Sequence, residues 1–151
     1  MRAFFFLGDE MPDLEAYRSE SEIAEVVRRF ESCEYRNDEF VHSRHVAVAA
    51  WYCLHFDAET ASTKMRDALK TFNAHHGRTG YHETITDFWL RAVAAHVREL
   101  RPTDSPVDVV NRIVADLSDK NLVFRHYSRE KIASPEAKAA CTEPDLIPLP
   151  F

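Results

Sequence analysis

The sequence predicts an all-α fold: a single-domain bundle of four to five main helices, finished by an extended, proline-rich C-terminal strap. Three observations carry this expectation. Apolar residues recur at helical spacing in five successive stretches. Capping or breaking residues separate most of those stretches. The chain holds only 3 Gly, too few for a turn-rich β fold. At 151 residues it is expected to be one domain, 1–151, long enough for a real core. Within it, 1–18 reads as an N-terminal arm and 143–151 as the extended tail.

The elements follow in order. The apolar run Phe4–Phe5–Phe6–Leu7 is too short for an export signal, and acidic residues follow at once. It reads as a strand or extended arm packing its rings on the core, with a loop over Gly8 to Asp13. A first helix is expected to start near Ser19, where Ser19-x-x-Glu22 is a capping-box pattern, with Ile23, Val26, Val27 and Phe30 as its stripe. The polar stretch Cys33 to Asp38 breaks the pattern. The second helix, about Val41 to Phe56, is apolar almost all round and is the natural centre of a bundle. Asp57 can cap a third helix with Ala61, Met65, Ala68, Leu69 and Phe72 inward, ended by Gly77. A fourth carries Ile85, Trp89, Leu90, Val93 and Val97 and stops before Pro102. Ser105-Pro106-x-Asp108 opens a fifth, with Val109, Val110, Ile113, Val114 and Leu117. Short helical turns are expected after Ser128 and Ser134. Pro144, Pro148 and Pro150 keep the end extended. The apolar residues around them, Leu146, Ile147, Leu149 and Phe151, point to a strap packed on the bundle.

Composition excludes several classes of function. A net charge of -6 and no long Lys/Arg run argue against a nucleic-acid binder. No run reaches the roughly 18–20 apolar residues of a membrane span. Cys33, Cys53 and Cys141 are odd in number and widely spaced, which fits a reducing, cytoplasmic setting.

The residues that could carry chemistry gather at two helix starts. His42-Ser43-Arg44-His45 begins the second helix, and the two imidazoles share the face of Ala49, Tyr52, Cys53 and Phe56. In Gly80-Tyr81-His82-Glu83-Thr84-Ile85-Thr86, helical spacing puts His82 in the middle of the fourth helix's apolar stripe, with Thr86 one turn on and Glu83 at its edge. Helical bundles build metal sites from such inward-facing histidines. The expected metal ligands are therefore His42, His45 and His82, holding iron, copper or zinc. Glu83 is the expected fourth ligand or proton-transfer group, and Tyr81 and Thr86 would orient substrate. Glu39 is a further possible carboxylate. The bland alternative is that these histidines bond loop carbonyls.

The same blocks carry a resemblance. Phe30-Glu31-x-Cys33, Glu39-Phe40-x-His42-x-x-His45-Val46, the Gly80–Thr86 block, Tyr127-Ser128 and Glu143-Pro144-Asp145-Leu146-x-Pro148-Leu149-Pro150 together resemble a family of small, mostly bacterial, uncharacterised helical proteins. The resemblance runs from Phe30 onward and implies positions, with no activity attached. Ser43 and Arg44 stand where the family pattern often has a small or acidic residue, and the segment before Ser19 lies outside it.

Three functions compete. The first is a metal-dependent enzyme acting on a small-molecule substrate, an oxidoreductase or a lyase, with oxidative chemistry favoured because mixed His and carboxylate ligands suit non-haem iron. The second is a metal-free acid–base lyase or isomerase using His82 and Glu83. The third is a helical ligand-binding module without catalysis.

Overall fold

The computed structural model describes residues 16–151, and every regular element among them is helical. The expectations for the Phe-rich run and for the Gly8–Asp13 loop lie outside the described residues. Five main helices form the bundle: α1 (Glu20–Glu31), α2 (His42–His55), α3 (Ala58–His75), α4 (Glu83–Arg98) and α5 (Pro106–Asp116). A 3₁₀ turn (Leu122–Arg125) and two short helices, α6 (Arg129–Ala133) and α7 (Pro135–Ala139), lead into the strap.

The helix starts follow the capping chemistry. Ser19, Asp57 and Ser105 each accept a backbone N–H two or three residues into α1, α3 and α5. Glu22 departs from the capping box in one respect: its carboxylate reaches past Ser19 to the N–H of Arg18 (2.7 Å). Two helices end in the same paired-bond turn. After α3, Gly77 stands at φ 67°, its N–H bonded to Ala74 O while Arg78 N–H returns to Asn73 O. After α1 the same bonds run from Cys33 to Phe30 and from Glu34 to Arg29, with Cys33 at φ 59°. A left-handed cysteine is costly. Its side chain packs against the main core, which offsets part of that cost.

The α2 helix occupies the centre and packs against α1, α3, α4 and α5. Its run Val46–Ala50 is buried without a break, as expected of a helix with neighbours on most sides. The small residues of that run let the surrounding helices approach closely. A second, smaller core lies on the far side of α4, where Phe88 meets Val123, Tyr127, Leu149 and Phe151.

The strap docks on that second core through named bonds. Leu146 N–H donates to His126 O, and the His126 ring bonds Ile147 O (2.8 Å). Asp145 takes the N–H and hydroxyl of Ser128, and Arg91 donates to Phe151 O. One expectation is corrected here. Leu149 and Phe151 pack as foreseen, but Leu146 and Ile147 stay 55% and 59% exposed. The chain bends over 145–147, so its backbone is tied down there while both side chains turn to solvent.

No helix among the described residues is long and apolar enough to cross a membrane. Cys33, Cys53 and Cys141 are free thiols.

Candidate functional site

A cavity of about 400 Å³ opens between α2, α3, α4 and the loops at one end of the bundle. Val46 and Ala49 of α2, Met65, Leu69 and Phe72 of α3, and Ile85, Trp89, Leu90 and Val93 of α4 form its apolar walls. Asn37, Arg78, Gly80 and Lys120 line it as well and are exposed, so they mark its mouth. His42, His45, Tyr81, His82 and Thr86 also line it. Five of the six expected site residues therefore meet in one space.

They meet there, but not as a ligand set. His82 is the cap of α4 and not a residue within it, with extended backbone at φ -136°. Its Nδ1 accepts the N–H of Ile85 (3.2 Å), in the way an aspartate or asparagine caps a helix. Its Nε2–H donates to Ile132 O (2.7 Å). Both ring nitrogens are committed, so no lone pair is left for a cation. His42 donates its Nε2–H to Leu117 O (2.8 Å), and its ring stands edge-on to Trp89. His45 lies with its ring 4.2 Å from that of Phe40, whose backbone carbonyl favours the charged imidazole. Among the described residues, no three His, Cys, Asp or Glu side chains are grouped to hold a metal ion. Of the three histidines expected to bind iron, copper or zinc, His42 and His82 each give a ring N–H to a backbone carbonyl in this geometry.

Glu83 does not line the cavity. Its carboxylate takes bonds from Arg66 Nε (2.7 Å) and the Tyr81 hydroxyl (2.6 Å), and the Cys141 thiol lies 3.5 Å away. Burial works against its charge, but the bonds from Tyr81 and Arg66 outweigh that and hold its pKa below the usual range. A carboxylate so paired is a weaker proton acceptor than a free one. Arg66 also bonds Asp87 and the Ser62 hydroxyl, so the cluster is a tie between α3 and α4. Glu39 is turned to the N–H and guanidinium of Arg36, and Asp145 caps the Ser128 turn. Neither carboxylate belongs to the cavity.

Three groups keep polar character inside it. Tyr81 presents its ring to the cavity, and burial together with the Glu83 bond pushes its hydroxyl pKa up to about 12. Thr86 closes its own hydroxyl onto His82 O (2.8 Å). His45 is the deepest. Burial, and then the neighbouring His42, push its pKa down to about 4 against the opposing pull of the Phe40 carbonyl, so its imidazole is neutral at pH 7. Surrounding protein withholds solvation from the ring, yet the ring keeps some accessible surface, and that surface is the cavity's own. A neutral imidazole carries one donor nitrogen and one acceptor nitrogen. No donor among the described residues bonds it.

Sequence reasoning missed two residues. Thr84 is 1% exposed, and its hydroxyl meets Ala137 O (2.7 Å), Ala140 O (2.9 Å) and Thr142 N–H (3.2 Å), tying α4 to α7. His126 is buried and clamps the strap from its ring and its backbone. A polar residue between the buried positions of an amphipathic helix was the available signal for Thr84; His126, in a short 3₁₀ connection, offered none.

Compared with known proteins, the chain matches no protein-family model, no curated protein and no solved structure. The cavity's own chemistry is thus what bears on function.

Proposed function

We propose that the protein binds a small, mainly apolar molecule in the cavity between α2, α3 and α4, as a helical ligand-binding module without metal chemistry. One observation carries the reading: a space of about 400 Å³ with apolar walls and a few polar groups, open at one end. That is the size and character of small-molecule sites, which run roughly 300–1,000 Å³ and are mostly apolar with a few placed polar groups. A sealed, dry void of that volume would cost roughly 10 kcal/mol, comparable with the whole stability of an ordinary domain. Larger side chains at Ala49 or Leu69 would close the space and raise stability, the kind of gain natural chains commonly leave untaken where function needs otherwise. A bound apolar ligand would meet the walls, with the His45 acceptor available to a hydroxyl or amine.

The metal-dependent reading finds little support in the donor atoms, since His42 and His82 are bonded to carbonyls and no three His, Cys, Asp or Glu side chains are grouped among the described residues. The acid–base reading lacks its carboxylate, because Glu83 faces Arg66 and Tyr81 outside the cavity.

The test is titration with the neutral fluorescent probe N-phenyl-1-naphthylamine, with Ala49→Phe as the filling variant. Ala49 is buried on α2 and faces the cavity, so a phenyl ring there enters existing space. The expected outcome is saturable binding by the wild type, a loss of about tenfold or more in the variant, and a Tm that is unchanged or higher. Equal binding by both proteins would mean that the probe sits elsewhere and that the cavity is not the site.

A further inference from the structure

The charges around the cavity point to a narrower class of ligand. Arg78 and Lys120 are the charged residues that line it, and no carboxylate does. This cationic mouth stands in a chain with an acidic excess, 25 Asp and Glu against 19 Lys and Arg. Three acids close to the lining residues in sequence are paired with other arginines. Glu83 and Asp87 are held by Arg66 and Arg91, and Glu39 by Arg36. Arg78 itself forms no side-chain hydrogen bond or ion pair with any described residue. Its place is fixed all the same, because its backbone N–H closes the turn that ends α3 onto Asn73 O (2.8 Å). That turn puts Arg78 on the same cavity lining as Asn73. A guanidinium with the amides of Asn37 and Asn73 on the same lining is a donor-rich mouth above an apolar interior.

We infer that the ligand is an amphipathic organic anion, its apolar body between Phe72 and Trp89 and its charged head at the mouth against Arg78. The inference rests on the ligand-binding reading above and narrows it. An interior of hydrocarbon and neutral imidazole repels a charge, because burying an unpaired carboxylate costs far more than leaving it in water. The head must therefore stay at the rim, where the cations are. A cationic amphiphile would set its head against Arg78 and is selected against.

The experiment displaces N-phenyl-1-naphthylamine from the full-length protein at low salt with three probes of matched chain: decanoate, 1-decanol and decyltrimethylammonium. Decanoate is expected to bind about fivefold or more tighter than decanol, the scale of a partly exposed ion pair, with the cation weakest. In Arg78→Gln/Lys120→Gln decanoate should fall to the level of decanol, which itself stays unchanged, and added salt should narrow the gap in the wild type. Both side chains are exposed, so the fold survives the change. If decanoate and decanol displace the probe equally, or if the variant leaves their ratio untouched, the anion inference is overturned and the ligand-binding reading stands. If the naphthylamine itself fails to bind, both fall together.

Discussion

At the scale of single residues, the histidines show how a correct placement can carry a wrong chemistry. Helical periodicity brings His42, His45 and His82 toward one interior space, and they do line one cavity. What periodicity cannot supply is the identity of the partners. The carbonyls that occupy His42 and His82 belong to Leu117 and Ile132, 75 and 50 residues away along the chain. Such bonds are created by tertiary packing alone. For His82 the local reading also misjudged the backbone: a histidine before Glu83 takes the capping position that Ser, Thr, Asp or Asn usually fills. His45 gives a prediction at this scale. Its folded pKa, about 4, lies below the ordinary 6.5, so between those values the unfolded chain binds the extra proton and the folded chain does not. Its contribution is present above pH 6.5 and is lost as pH falls toward 4. Between pH 7 and pH 5 the loss is about 2 kcal/mol. His45→Gln keeps a polar side chain of similar reach and cannot titrate. Urea unfolding of both proteins at the two pH values should show a difference of about that size, since groups distant from His45 contribute alike to both. Parallel pH slopes would show that His45 is not held neutral.

At the scale of elements, the helices were legible because their signals are local. Ser19, Asp57 and Ser105 announce starts and Gly77 an end, and all four act as chemistry requires. The end of α1 was readable only as a break in pattern, since a left-handed Cys33 has no ordinary sequence signature. The junction of α4 with α7 was not legible at all. It depends on Thr84, one hydroxyl placed among two carbonyls and an N–H from residues 137–142. Thr84→Val keeps the shape and removes the hydroxyl. The expected cost is about 2–3 kcal/mol, because buried backbone groups lose their partner. Amide exchange should quicken at residues 137–142 while the centre of α2 stays protected. An unaltered exchange pattern with unaltered stability would mean that the contact contributes nothing.

At the scale of the whole molecule, the bundle divides its labour between two sides of α4. The cavity draws on residues 37 to 120, none of them in the strap. The strap covers the second core instead, where Leu149 and Phe151 pack against Phe88 and Tyr127. Its role should be separable from ligand binding. Removing residues 143–151 takes away the cover of Phe88, the Asp145 bonds to Ser128 and the two clamps on His126. It leaves Ile132, and with it the His82 bond that positions the start of α4 beside the cavity. Two partly buried apolar side chains and their backbone bonds are together worth about 3–5 kcal/mol, which lowers Tm by roughly 6–20 °C in a chain of this length. The truncated protein, held well below its new Tm, should still bind N-phenyl-1-naphthylamine with unchanged affinity. A loss of probe binding in a chain that remains helical by circular dichroism would show that the strap shapes the cavity through α4. The two cores would then be one cooperative unit, with Trp89, the residue next to Phe88, as the side chain through which they communicate.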